Sequence, residues 1–290
     1  MAVKRRRGNG SVAPYIFISP FIISFILFFL APSIYSLILS LFKYRGYGAA
    51  TFVGFNNYTT LLTYSRFWSS VRNTLFYYLV HLVPSFVIPF LIAVAINSKI
   101  SRFKRVYKAS IFVPHMVSVV ASALVWRILL STRNGVVNAV LGTQIPFLES
   151  GAIMKWSVII LYLWRGIGWF LVVFLSGLTT VGDEITDAAN IDGANAFQEM
   201  VFVTIPIMKP IFMFAFVMDT ITSLKMFTEP TLLLNAGASS APVEGETIMS
   251  ILTRNISGGN FGMASATGWI LFIMILSAAL LQLKVFSKEE

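Results

Sequence analysis

Apolar runs long enough to cross a bilayer recur along this chain, and the short segments between them carry most of its charge. A spanning helix needs about 20 predominantly apolar residues. Six stretches of roughly that length predict helices at about Pro14–Leu41, Asn73–Ile96, Ala109–Leu130, Trp156–Leu178, Ile207–Pro230 and Ala264–Phe286. Pro20, Pro32, Pro84 and Pro89 fall inside these runs, where bundled neighbours can satisfy the carbonyls that proline frees. The loops at Gly46–Arg66, Ser131–Lys155 and Thr231–Met263 are too small for separate catalytic domains. No repeat relates the two halves. Residues 1–290 therefore read as one transmembrane domain, an all-α integral membrane protein with six transmembrane helices.

Composition agrees with this pattern. The 290 residues are 57% hydrophobic and 12% charged, about half the charge of a soluble domain. The net charge of +10 does not argue for nucleic acid, because the basic clusters flank apolar runs, where they set topology and meet lipid headgroups. Lys4 to Arg7 precede the first run, and Lys99, Arg102, Lys104, Arg105 and Lys108 crowd the second connection. Lys/Arg density puts both on the cytoplasmic side, so the N- and C-termini and the segment after span four are predicted to be cytoplasmic. The basic start resembles a signal peptide, but its apolar run is too long and lacks a small-residue cleavage site. It reads as a retained first span. The chain has no cysteine, which removes disulfides and thiolate metal sites.

The most polar interruption follows span four. Asp183, Glu184, Asp187, Asp192 and Glu199 fall within it, five of the twelve carboxylates. The spacing of Thr180 and Asp183 suggests a capping box, and the acids then stand in the first turns of a helix, where its dipole favours them. Ile185, Ala188 and Ala189 share one face. Gly193 predicts a break with positive φ, a second helix is expected over Ala194–Val203, and Pro210 suits entry into span five. On these grounds the segment is either a solvated loop or a short helix–turn–helix presented to a partner surface.

Asp187-Ala188-Ala189, Ile191-Asp192-Gly193-Ala194, Phe197 and Ile205-Pro206 through Pro210 resemble the EAA loop of permease subunits in binding-protein-dependent ABC importers. Asp187 stands where that loop usually has Glu, and Ile205-Pro206 where Leu-Pro is common. The resemblance continues through Tyr15–Pro20, Pro32, Tyr35–Ser40, Phe52–Tyr58, Asn73–Leu75, Trp164–Gly168 and Phe261–Ala266, and is to the maltose-type, sugar and glycerol-phosphate branch. It implies a type I importer permease fold in a bacterial or archaeal inner membrane. It also implies a coupling helix around residues 180–206, with Asp183, Glu184, Asp187, Ala188, Ala189, Asp192, Gly193, Ala194, Phe197 and Pro206 meeting an ATPase. The implied assembly has a second homologous permease, two ABC ATPase subunits that hold ATP and Mg²⁺, and an extracytoplasmic solute-binding protein that delivers a carbohydrate. This chain itself would be a transport subunit, not an enzyme, with no cofactor.

Other motifs are sparse. No G-x-x-x-x-G-K-[ST] string supports an ATPase within this chain, and no G-x-S-x-G elbow supports a serine hydrolase. Ile256-Ser-Gly-Gly-Asn260 is a chance likeness to an ABC signature. His81 and His115 are expected to pack or line a cavity rather than bind zinc. Ionisable residues inside spans are functional candidates because burial in lipid is costly, which singles out Arg127, Arg165, Asp219 and Lys225. Arg127, near a span end, is expected to snorkel. Asp219 would either meet sugar hydroxyls or pair with a basic residue on another span. Aromatic faces beside polar groups add Trp164, Trp169, Thr222 and Phe227 to a candidate substrate pathway, with Lys225 and Glu229 alternatively in an outer gate. An ion-coupled secondary transporter with Asp219 or Arg165 in a relay is the competing reading.

Overall fold

In a computed structural model, residues 13–97, 103–149, 151–234 and 242–287 are described. The predicted topology signals Lys4–Arg7, Lys99, Arg102 and Lys288 lie outside them. Four helices are long and apolar enough to cross a membrane: α1 (Pro14–Leu39), α3 (Ser65–Asn97), α7 (Ile153–Leu178) and α13 (Phe261–Ser287). Two bent pairs raise the number to as many as six. The first joins α4 (Lys104–Met116) to α5 (Val119–Leu129) at 93°, and the second joins α9 (Ala196–Ile207) to α10 (Lys209–Leu224) at 69°. Shorter elements complete the chain: a β1–β2 ribbon (Phe42–Lys43, Thr51–Phe52), α2 (Asn56–Thr63), α6 (Val136–Leu141), α8 (Asp183–Ile191), α11 (Thr228–Leu234) and α12 (Ile248–Ser257).

The runs at spans two, four and six thus become helices, with span two eight residues longer at its start. Spans three and five depart from expectation. Span three is broken at Val117–Ser118, and span five starts at Lys209 and stops at Leu224, with Thr228–Pro230 passing into a separate helix. The second helix of the polar insert also begins later and runs further than predicted, from Ala196 to Ile207.

Proline accounts for two local irregularities. Wide π-type turns occupy Ile26–Leu30 and Met200–Thr204, each ending two residues before a proline, Pro32 and Pro206. A proline has no N–H and its ring crowds the carbonyl four residues back. The chain answers by bonding Ala31 N–H to the Ile26 carbonyl and Ile205 N–H to the Met200 carbonyl, widening the turn instead of breaking it.

The core is organised around α3 and α7, which run parallel. Tyr77 near the start of α3 clusters with Met154 and Val158 of α7, and Phe90, Ala93 and Ile96 near its end cluster with Leu171, Phe174 and Leu178. The α4–α5 pair spans both clusters, with Ile111 at one and Ala123 at the other. A third cluster joins α2 and the start of α3 to α12 and α13 through Leu61, Phe67, Ile251 and Leu271.

Backbones approach closely where α7 has glycine. A Cβ on Gly168 would lie 2.5 Å from the Ile111 carbonyl oxygen, whereas one on Gly166 would meet nothing within 4 Å. Small residues are what permit such contact between membrane helices. Gly168→Val should therefore lower the melting temperature of the detergent-solubilised protein, at a cost of about 1–3 kcal/mol from overpacking. Gly166→Ala should leave it unchanged. Equal melting of both variants would show that α4 does not lean on α7 as described.

Candidate functional site

Two regions carry the residues singled out by sequence. The first is the polar insert. Asp183 begins α8, Gly182 stands at its N-cap with no side-chain bond, and the Thr180 hydroxyl donates back to the Gly177 carbonyl at 2.7 Å. The predicted Thr180–Asp183 capping box is therefore absent. Thr180 lies just past the end of α7, and its hydroxyl adds a bond to a Gly177 carbonyl that already accepts from the Thr180 N–H at 2.9 Å. A capping box does form one helix later: the Asn195 side chain accepts from Gln198 N–H and the Gln198 side chain from Asn195 N–H, both at 2.9 Å. Gly193 has φ +84°, as its predicted break requires, in a left-handed conformation that disfavours other residues.

Within the chain α8 packs chiefly on α9. Glu184, Asp187, Ala188 and Asp192 are exposed, Ala189 and Ala194 half-buried, and Pro206 exposed. Ile191 and Phe197 are 86% and 67% exposed. Two large apolar side chains thus stand open among carboxylates on a helix–turn–helix.

Where this unit meets the bundle, Met208 forms the elbow between α9 and α10. Met208 is fully buried, and its Cε would lie 2.7 Å from a Cβ added to Gly177 of α7. The glycine is a socket for the elbow.

The second region is a cavity of about 260 Å³ between α4, α7 and α10. Arg165, Trp169, Asp219 and Thr222 line it, four of the seven substrate-pathway candidates. Trp164, Lys225 and Phe227 do not line it; Trp164 packs on Trp126 of α5 instead. His115, expected to pack or to line a cavity, does line this one though it is outside the substrate-pathway set, and Tyr162, which the sequence did not single out, lines it too. The rule that flagged Arg165 applied equally to His115, an ionisable group in an apolar run. His115 stacks on Trp169 at 5.6 Å between ring centroids.

The cavity's charges are paired. Arg165 Nη1 lies 3.1 Å from Glu229 of α11, and its Nη2 donates to the Val117 carbonyl at 3.4 Å, at the α4–α5 break. A broken helix inside a bilayer leaves carbonyls open, and the guanidinium covers one of them. Burial pushes the Glu229 carboxyl above the usual carboxylate range, and Arg165 opposes that rise. Asp219, 1% exposed, faces His81 of α3, with Nε2 at 2.9 and 3.1 Å from its two oxygens. Asp219 therefore pairs with a basic residue on another span and also borders the cavity. Among the described residues no His/Cys/Asp/Glu cluster fits a metal ion.

At the end opposite α8, Asn73 donates to the Val243 and Glu246 carbonyls at 3.0 and 2.9 Å, and Ile248 N–H bonds Thr74 at 3.0 Å. Glu246, fully buried, is bridged by Arg66 at 2.6 Å and by Arg254. Asn73 and Thr74, noted only as part of a resemblance, fasten the loop before α12.

Residues 59–287 match the model of the family described as the binding-protein-dependent transport system inner membrane component. The chain belongs to this family. It is a multi-pass inner-membrane permease subunit of the ABC importer type, which decides against the ion-coupled alternative. This permease is 30% identical over 287 residues to the arabinooligosaccharides transport system permease protein AraP of Bacillus subtilis, covering 96% of this chain and 89% of that one. It is 26% identical over 277 residues to the lactose transport system permease protein LacF of Rhizobium radiobacter, covering 92% of each. Its fold matches a chain of a bacterial ABC transporter that imports the acidic polysaccharide alginate, with TM-score 0.82, 24% identity and 95% of each chain covered.

The permease should depend on its cavity ion pair in an asymmetric way. Removing one partner of a buried pair leaves the other charge uncompensated, at about 3–5 kcal/mol. Arg165→Gln should lower thermal stability clearly, and adding Glu229→Gln should restore most of it. A double variant as unstable as the sum of the singles would contradict the pairing.

Proposed function

We propose that this permease forms half of the translocation pathway for a carbohydrate, driven by ATP that partner ATPase subunits bind and hydrolyse with Mg²⁺. The observation that carries the reading is the α8–α9 turn, where apolar Ile191 at the end of α8 and Phe197 at the start of α9 stand open beside Asp187 and Asp192. Exposed apolar side chains in a polar setting mark an interaction site. With the N- and C-termini on the cytoplasmic side, as the basic clusters suggest, α8 faces the cytoplasm and docks in a groove of the ATPase.

The rest of the machine follows from the same reading. Closure of the two ATPase subunits on ATP pushes α8. The push reaches the bundle at two places, the end of α7 and the α9–α10 elbow seated on Gly177. A packed bundle is bistable rather than continuously deformable, so the push becomes a switch between two cavity orientations. The permease binds no nucleotide itself.

Carbohydrate as cargo is supported by the relatives, named for arabinooligosaccharides and lactose, and by the cavity, where the Trp169 face lies beside Arg165, Asp219 and Thr222. An aromatic face with a few fixed polar groups suits a sugar ring. Delivery falls to an extracytoplasmic solute-binding protein. The other half of the pathway is a second homologous permease. Its surface, together with membrane lipid, covers α1, none of whose apolar length is buried within the chain, and an apolar groove of about 810 Å³ beside α3 and α10.

Reconstituted with its partners in proteoliposomes, the wild type should couple ATP hydrolysis to carbohydrate uptake. Gly193→Ile forces a β-branched residue into a left-handed backbone, a strain of roughly 1–2 kcal/mol, and Asp187→Lys reverses a charge on α8. Both variants should insert normally and lose uptake by an order of magnitude or more. Uptake at the wild-type rate by both would refute the docking role of α8.

A further inference from the structure

His81 of α3 has no surface exposed. Its Nδ1 lies 2.6 Å from the Tyr77 carbonyl of its own helix. A carbonyl oxygen only accepts, so Nδ1 carries a proton and donates it. Nε2 then faces a carboxyl group that, when ionised, also only accepts. Two acceptors cannot bond each other, so the 2.9 Å contact between Nε2 and Asp219 requires a proton between them. The proton resides on the ring or on the carboxyl, and the pair is neutral in both arrangements. Neutrality suits its place in the bundle, since an unpaired charge there is costly.

The surroundings hold the pair in one orientation. Tyr162 of α7 packs edge-on against the imidazole, with centroids 4.9 Å apart. Beside it, Tyr78 and Thr220 are joined at 3.0 Å, and the Gln282 amide of α13 donates to both. Three helices therefore meet in polar contacts at the level of Asp219, and α7 packs against them through the Tyr162 ring. The next turn of α10 carries Thr222, which lines the cavity together with Asp219 and Tyr162.

We propose that His81 is a positioning residue for the cavity wall: through a shared proton it holds the Asp219 carboxyl in one orientation at the face where the carbohydrate passes. His81 does not line the cavity, so it acts only through Asp219. The proposal rests on the cavity being part of the carbohydrate path. On that basis, His81 tunes apparent affinity for the sugar more than the maximal rate.

The test uses the assembled transporter with its second permease, ATPase and solute-binding protein, with arabinotriose and lactose as probes. His81→Leu removes the donor. The half-saturating sugar concentration should rise roughly tenfold, the size expected for loss of one hydrogen bond to a charged group, with a smaller change in maximal rate. His81→Gln, which restores a donor, should recover most of the loss. The double variant with Asp219→Asn should be no worse than Asp219→Asn alone. If His81→Leu lowers only assembly or maximal rate, or if the two effects add, the proposal is overturned and the cavity reading stands. If Asp219→Asn and Trp169→Ala both bind like wild type, the cavity reading falls and takes the proposal with it. An independent arm needs no sugar. The chain has two histidines, so ¹⁵N-histidine spectra of wild type and a His115→Gln variant assign His81 directly. The expected signature is a protonated Nδ1 with a proton shared at Nε2, lost from Nε2 in Asp219→Asn. A bare Nδ1 would overturn the shared-proton arrangement, since Nε2 would then simply donate to an ionised Asp219.

Discussion

A bilayer interior offers no hydrogen-bond partner, so every polar group inside this bundle must find one within the protein. Most of the buried polar side chains follow that constraint, with Ser122 Oγ, Thr231 Oγ1, Arg165 Nε and Gln282 Oε1 left without a partner within the described residues. His81 meets Asp219, Arg165 meets Glu229 and the open Val117 carbonyl, and Tyr78, Thr220 and the Gln282 amide nitrogen bond one another across three helices. Because each contact joins different helices, satisfying the polar groups also fixes which helices are neighbours. The apolar clusters fill the space between these joints. Membrane helices gain little from apolar contact alone, which makes the joints and the glycine contacts at Gly168 and Gly177 the features that specify the packing.

The same constraint explains why the moving parts lie where they do. A helix can break in lipid only where its freed backbone groups are covered. The α4–α5 break is covered by Arg165, and the α9–α10 elbow is buried at Met208 against α7. One break borders the cavity, and the other adjoins the polar helix α8. The end of α7 carries Gly177 under the elbow, and its middle carries Arg165 and Trp169 at the cavity wall. A single rigid helix thus connects the surface proposed to receive the push with the residues proposed to meet the sugar.

Much of this was legible in the sequence, and the exceptions have physical causes. The runs of spans two, four and six were plain because hydropathy depends on composition alone. Gly193 was readable because a left-handed residue after a short helix selects glycine. The break in span three was not read, because apolar composition continues through it and it is covered by a guanidinium 48 residues away. The entry into span five had a local signal in Pro210, whereas its end at Leu224 was not read. The Thr180 capping box failed because the helix starts at Asp183, which makes Gly182 and not Thr180 its N-cap. His81 and Asp219 are 138 residues apart, and no spacing rule links them. His115 and Tyr162 became cavity residues only when α4 folded against α7.

The central claim is that α8 presents its apolar face to an ATPase on the cytoplasmic side. The chain has no cysteine, so Ile191→Cys creates a single reactive thiol at its most open apolar position. Maleimide labelling in inside-out vesicles measures that face directly. The account predicts rapid labelling of the permease alone and strong protection once the ATPase subunits are bound. Labelling that is unchanged by the ATPase, or that proceeds only from the outer side, would contradict it.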